Sequence, residues 1–384
     1  MKILFTGDVF FNPSKDDKKL IIDDGIKTLF SSCDNICVDL ESPVAGKNEK
    51  KLEGKISPCL KQDKERLITL FRSFGEGKPD RIICDLANNH IMDYGEDGLK
   101  ETKAMLDENR IAYTGAGRGR EAYAPLVLEK DGVRTGIAAA AEPGFGCCSS
   151  KEETGFARYD SREYYRTIKK LKDECDFVIA LVHAGLENET LPLPEIREHY
   201  RFLIDNGADM VIAHHPHIIQ GKEDYKGKKI YYSLGNFIFD SSSGKGESNC
   251  RSIVLELDIK KENDIVIREI PSQYKSGMIE TAASGEGIEK EFADATKSLM
   301  SDDYDELITG ICCKHLERYK DYYYYAIGAE RNNIKNLVIA LKRCLKGNDR
   351  FDENWMYHNL VIDSHRWTLR RALEARHTKG RTFD

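Results

Sequence analysis

Short apolar runs, each the length of a strand and each closing on polar residues, recur through the first half of this chain and set what it can fold into. They are 1–7 (MKILFTG), 35–40 (NICVDL), 81–87 (RIICDLA), 135–141 (TGIAAAA), 176–182 (DFVIALV) and 209–213 (DMVIA). Between them lie stretches with helical spacing, at 95–109, 162–174 and 195–206. Alternation of this kind builds a layered α/β domain. After residue 225 the pattern changes, because 229–233, 252–260 and 264–270 follow one another with only loops between. Consecutive strands predict antiparallel pairing, and so a mixed sheet system. From about residue 277 the strand signal ends, and 288–300, 304–316, 334–345 and 364–376 read as helices. The expected organisation is an α/β domain over 1–276 followed by a helical C-terminal extension over 277–384.

Metal-ligand residue types collect where these runs end. The clusters are Gly7-Asp8, Asp39-Leu40-Glu41, Asn88-Asn89-His90, His183 and His214-His215-Pro216-His217, and they hold five of the ten histidines. In open α/β sheets the loops at the carboxyl ends of strands converge on one rim, so residues far apart in sequence meet there. Singly, each cluster has an ordinary reading. Asp8 suits a turn, Glu41 a strand exit, Asn88-Asn89 a left-handed turn and His183 a hydrogen-bonded core position. His215 and His217, two apart with a stiffening proline between them, can both reach a site from an extended segment. Jointly, Asp8, Glu41, Asn89, His183, His215 and His217 make a mixed oxygen and nitrogen donor set. Such a set suits Mn, Fe or Zn, since thiolate sites need cysteine and calcium sites need no imidazole. Six protein ligands exceed what one catalytic metal with an open position takes. Two ions sharing a carboxylate accommodate them.

Composition narrows the alternatives. With 384 residues, 40% hydrophobic and 32% charged, the chain can bury a large core as a soluble globular protein. No apolar stretch approaches the roughly 20 residues of a membrane span, and a strand starting at Lys2 leaves no room for a signal peptide, which predicts a cytoplasmic protein. The eleven cysteines are spread through apolar runs or adjacent to one another, as reduced thiols would be. A net charge of −7 weighs against a nucleic-acid partner. The basic residues Arg366, Arg370, Arg371, Arg376, Lys379 and Arg381 read as a solvated helix face. Tyr322 to Tyr325 cannot share one helix face, and they read as a helix–helix seam or a surface for a protein partner. Gly115-Ala116-Gly117-Arg118-Gly119 has neither dinucleotide spacing nor a P-loop lysine and reads as a flexible turn leading to the next helix.

The ordered motifs carry a resemblance. Gly7-Asp8, Leu40-Glu41-Ser42-Pro43, Ala87-Asn88-Asn89-His90 with Asp93 and Gly95, His183-Ala184-Gly185-Leu186-Glu187, Gly207-Ala208-Asp209 leading to His214-His215-Pro216-His217, and Tyr232 to Phe237 (YSLGNF) are together similar to the bacterial capsule-synthesis family CapA, associated with poly-γ-glutamate. That family belongs to the calcineurin-like metallophosphatase superfamily, and the resemblance covers roughly residues 1–272. It implies a four-layer αββα sandwich with mixed sheets and a dinuclear metal site. By motif, Asp8 and His217 would bind the first ion and Asn89, His183 and His215 the second. Glu41 would bridge them, and His90 would donate a proton. Asn88, Glu187, His214 and Asn236, in the same motifs, are the candidates for substrate contacts.

Departures from the pattern matter. Phe10 stands where the superfamily often carries a histidine, so the first ion would be weakly held or absent. Ala184, Asn188 and Ala213 stand where the family usually has tryptophan, tyrosine and glycine. Two divalent ions, less the charges of Asp8, Glu41 and a bridging hydroxide, leave a centre of about one positive charge, which favours an anionic small molecule or polymer. Such a centre lowers the pKa of bound water towards about 7 and supplies a hydroxide nucleophile. The expected activity is therefore phosphoester hydrolysis in capsule or cell-surface polymer metabolism. The alternatives are amide hydrolysis of a poly-γ-glutamate-like or peptide substrate, and a non-catalytic scaffold in polymer synthesis or export.

Overall fold

A strand covered on both faces shows unbroken apolar sequence rather than alternation, and the runs found in the sequence become strands of this kind. The computed structural model describes residues 1–12, 20–46, 49–148, 150, 152–241, 249–261, 264–281, 287–327 and 351–378. The segment 334–345, expected to be helical, and Lys379 and Arg381 lie outside the described residues.

The first sheet has the order β2 (Ile21–Ile22), β17 (Met278–Thr281), β16 (Ile265–Lys275), β15 (Asn249–Ile259), β1 (Lys2–Asn12), β3 (Asn35–Leu40), β4 (Ile82–Asp85) and β5 (Ala112–Thr114). A further strand, β14 (Asn236–Ser241), pairs with the second half of β1. The second sheet runs β12 (Lys222–Tyr225), β13 (Lys228–Tyr231), β11 (Met210–His214), β10 (Phe177–His183), β8 (Val133–Ala141) and β7 (Leu126–Lys130). Both sheets mix parallel and antiparallel pairs, as consecutive strands predicted. The segment 229–233 does not pair with the strands that follow it, however. Its strand, β13, lies parallel to β11 in the second sheet, while β15 and β16 pair in the first. The segment 115–119, expected to be a turn, holds strand β6 (Ala116–Arg118), because β9 (Thr154–Phe156) returns to pair with it.

Period-two alternation sorts the second sheet into two cores. Ile137, Ala139, Ile179, Leu181, Met210 and Ile212 belong to the same cluster as the apolar residues of the first sheet, such as Phe5 and Leu255. Ala138, Ala140, Val178, Ala180, Val182 and Val211 face outward into a core with α4 (Arg162–Glu174) and α5 (Pro194–Asp205). On the outer side of the first sheet, α1 (Asp24–Ser32), α2 (Lys64–Phe74) and α3 (Gly95–Glu108) contribute Phe30, Phe71 and Leu106. The rings of Phe30 and Phe74 pack on Phe237 of β14. The result is a four-layer αββα sandwich. Local signals fix the helix starts: Ser161 caps α4 by accepting from the Tyr164 amide, and Asp63 caps α2.

The last helices are α6 (Ile288–Leu299), α7 (Tyr304–Ala326), α8 (Glu353–Val361) and α9 (Asp363–Thr378). Ile308, Leu316 and Tyr319 of α7 and Ala372 of α9 belong to the outward core of the second sheet. Tyr304 donates to the Pro192 carbonyl at 2.8 Å, and Ser364 donates both its amide and its hydroxyl to buried Glu142. The helical segment therefore packs on the rim of the sandwich. Strand β17 also carries the first sheet past residue 276, where the strand signal had ended. Tyr322 packs against Trp355, while Tyr324 and Tyr325 are exposed. Among the described residues no helix is long and apolar enough to cross a membrane.

Candidate metal centre

Asp8 does not follow its strand, as the sequence implied; it sits inside β1. The first half of β1, Lys2 to Phe5, pairs with β15, and pairing with β14 starts at Asp8 and shifts register between Asp8 and Val9. The two backbones come very close there, since a Cβ on Gly7 would lie 1.9 Å from the Gly235 carbonyl oxygen. The Asp8 amide donates to that same carbonyl at 3.0 Å. Only glycine at position 7 permits the approach that sets Asp8 opposite Asn236.

The other ligand candidates meet the convergence rule. Glu41 directly follows β3, His183 ends β10, and Asn89 lies in the turn after β4. His215 and His217 follow β11, but they are not extended. Their φ angles are 96° and 62°, so a tight turn about Pro216 points both rings inward. Non-glycine residues held there store strain on the order of 1–3 kcal/mol each, which the surrounding packing must offset.

The side chains converge on one buried spot. His183 Nε2 lies 2.9 Å from Asn89 Oδ1, 3.0 Å from His215 Nδ1 and 3.7 Å from Glu41 Oε1. His217 lies 3.3 Å from Asp8 Oδ2 through Nδ1 and 3.7 Å from Glu41 Oε1 through Nε2. Ligand atoms of Glu41, His183 and His215 fall within 4.8 Å of one another, and so do those of Asp8, Glu41 and His217. Glu41 belongs to both groups. Asp8 and Glu41 are fully buried, and none of their four carboxylate oxygens has a hydrogen-bond partner among the described residues. An ionised carboxylate left so is costly unless a cation pairs with it. The residues present therefore fit a divalent cation of the transition series.

Electrostatics agree. Burial above all, with Asp8 and Asp39 nearby, pushes the Glu41 carboxyl well up despite His217. Burial also works to raise Asp8, but His217, His214 and His183 together outweigh it and bring Asp8 down. Burial would lower His217, yet Glu41 and Asp8 carry it up to about 10. His215 is pushed down to about 3 by burial and by His183. A glutamate that resists ionisation beside a histidine that holds its proton describes a cluster short of positive charge.

The sequence reading missed three residues that serve this cluster. Asp39 accepts from His183 Nδ1 at 2.6 Å and so turns Nε2 toward the other ligands. Its position two before Glu41, near the end of the same apolar run, was the available signal. Asp93 holds His90 Nδ1 at 2.7 Å, and Lys55 pairs with Asp93 while lying 3.4 Å from His90 Nδ1. Asp93 stood in the quoted motif, but nothing in the sequence around Lys55 marked it. The substrate-contact candidates divide. Asn88 is fully buried, donating to Asp39 and to the Leu40 carbonyl and accepting from the amides of His90 and Ile91, so its amide is a clamp. His214 is turned inward onto the Thr6 carbonyl, and Asn236 lies 3.1 Å from His217. Glu187 lines a cavity beside the cluster.

The chain matches known proteins over this same region. Residues 2–241 match the family described as bacterial capsule synthesis protein PGA_cap. The chain is 25% identical over 302 residues to the capsule biosynthesis protein CapA of Bacillus anthracis, covering 76% of this chain and 72% of that one. It is 30% identical over 219 residues to the PGA biosynthesis protein CapA of Bacillus subtilis strain 168, covering 56% of each, so it spans little more than half of that relative. Among solved structures, a putative 5'-nucleotidase of Staphylococcus aureus overlaps with a TM-score of 0.44 at 11% identity, over 78% of this chain and 57% of that one. With the family matched across most of the sandwich and the ligand candidates, the chain belongs to the bacterial capsule synthesis protein PGA_cap family.

Proposed function

We propose that this protein is a metal-dependent hydrolase that cleaves a phosphoester, working in capsule or cell-surface polymer metabolism. The observation that carries the reading is the convergence of Asp8, Glu41, Asn89, His183, His215 and His217 around four buried carboxylate oxygens that have no hydrogen-bond partner among the described residues, with His183 and His217 at ion-pair distance. Asp8, Glu41 and His217 would hold one ion, and Glu41, Asn89, His183 and His215 the other. Mn, Fe or Zn bound there supplies Lewis acidity to a phosphoryl oxygen and lowers the pKa of water.

The chain's own residues do the rest. Asp39 fixes the His183 ring, and Asn88 fixes Asp39. With Nδ1 held by Asp93, His90 presents Nε2, which donates its proton to the departing oxygen as the ester bond breaks. Lys55 pairs with Asp93, and burial together with the Lys55 charge draws His90 down from its usual range, so the protonated ring gives up its proton readily.

Metal analysis of the purified protein, followed by turnover of p-nitrophenyl phosphate and bis-p-nitrophenyl phosphate with and without Mn²⁺, tests this reading. Absence of metal and of Mn²⁺-stimulated turnover, with His215→Ala leaving thermal stability unchanged, would sink it. A second reading starts from the polymer in the name of the Bacillus subtilis relative, a PGA biosynthesis protein, and has the centre cleave an amide in a γ-glutamyl polymer. Release of new amines from such a polymer, without phosphatase turnover, is its mark.

A further inference from the structure

Five histidines lie outside the sequence clusters, and two of them return to the site. His358 of α8 and His365 of α9 line a cavity of about 260 Å³ that Asn89, His183, Glu187 and His215 bound from the sandwich side. Arg318 and Tyr322 of α7 and Trp355 of α8 complete the facing wall. All five of these residues lie beyond residue 241, where the family match ends.

That wall has the character of a binding surface. Tyr322 and Trp355 lie 5.2 Å apart, Trp355 and His358 5.6 Å, and His358 and His365 5.1 Å, so four rings form one contiguous aromatic cluster, each tilted against the next by 40° to 82°. His358 is buried, yet its Nδ1 has no hydrogen-bond partner among the described residues, and neither has His365 Nδ1. A seam between helices alone would be expected to satisfy or exclude such atoms. Arg318 donates Nε to the Tyr322 hydroxyl at 2.7 Å and makes no ion pair among the described residues, leaving the rest of its guanidinium for an acceptor. The volume decides the size of the occupant. Pockets for drug-sized ligands run from about 300 to 1,000 Å³, so this one, at about 260 Å³, has room for a single ring with a small substituent.

We propose that α7, α8 and α9 form the leaving-group pocket of this site. A compact ring carried by a phosphate monoester packs on Trp355 and Tyr322, and an anionic or acceptor group on that ring takes Arg318. This rests on the hydrolase reading above, with the phosphoryl group at Asn89, His183 and His215. It makes the helical segment the source of substrate specificity on a metal centre built by the region that the family match covers.

Calorimetry on the full Mn²⁺-loaded chain tests it with three phosphonates whose carbon–phosphorus bond resists hydrolysis. Methylphosphonate reads the metal centre alone, phenylphosphonate adds the ring, and 4-phosphonobenzoate adds a carboxylate. Expected affinities rise about tenfold at each step. Trp355→Ala should erase the ring's gain, Trp355→Phe should restore most of it, and Arg318→Met, at an exposed position, should erase only the carboxylate's gain. In a Trp367→Phe background the remaining Trp355 fluorescence should respond to phenylphosphonate and not to methylphosphonate. If methylphosphonate binds but the larger ligands gain nothing, or the variants leave their gains intact, the pocket is refuted while the hydrolase reading stands. If none of the three binds, the hydrolase reading falls and takes the pocket with it.

Discussion

Asp39 Oδ2 lies 2.6 Å from His183 Nδ1, both residues fully enclosed between the two sheets. A carboxylate behind a ligating imidazole fixes its tautomer and orientation, and its loss typically costs 10–100-fold in metal affinity. Asp39→Asn should therefore weaken Mn²⁺ binding by about that factor with the fold intact. Calorimetric titration checks this, and unchanged affinity would remove Asp39 from the metal centre.

A separate prediction concerns the leaving group. General acid catalysis contributes roughly 10²–10⁴-fold, and only where the departing oxygen needs a proton. His90→Gln should lower kcat about 100-fold for phenyl phosphate, whose phenolate is a poor leaving group, and only a few-fold for p-nitrophenyl phosphate. Equal losses on both substrates would place His90 outside proton transfer.

At the junction of β1 and β14, Gly7→Ala would drive a Cβ to within 1.9 Å of the Gly235 carbonyl oxygen. Because that oxygen belongs to backbone, the strands must part. A loss of at least about 3 kcal/mol is expected, at or above the usual cost of overpacking, together with loss of metal affinity through displaced Asp8. Denaturant unfolding measures the first and titration the second.

Acid sensitivity has an origin far from the metal. His199 packs its ring 4.3 Å from Tyr159, and burial brings it down to about 4. The folded state resists protonation while the unfolded chain accepts a proton from about pH 6.5 downward. Stability from this group is thus present above pH 6.5 and is lost as pH falls toward 4. Between pH 7.5 and 5 the protein should lose about 2 kcal/mol relative to His199→Gln. Parallel pH slopes for the two proteins would remove His199 as the cause.

Much of the sandwich was legible, and the reason is local. The runs that became β10 and β11 are apolar on both faces, and a segment of that kind has few ways to fold other than a covered strand. Glu41, His183 and His215 were legible for the same reason, since each closes such a run. Asp8 was placed at a turn because its strand continues through pairing with the end of β3 and with β14, the latter more than two hundred residues away. The turn at His215 and His217 was read as extended, because positive φ at histidine leaves no trace in composition. Lys55, Arg318, Trp355 and His358 carry no periodic signal tying them to the centre. They reach it through the packing of a loop and three helices on the rim, which is non-local by nature.

The most direct test is the number of divalent ions the chain holds. Equilibrium dialysis against saturating Mn²⁺, with the wild type beside Glu41→Gln, reads it. Two bound ions in the wild type and at most one, weakly held, in the variant is the expected result; if Phe10 leaves the first position empty, the single ion should still depend on Glu41, His183 and His215. A wild type that binds no ion, or a variant that binds as many as tightly, would contradict the metal centre itself.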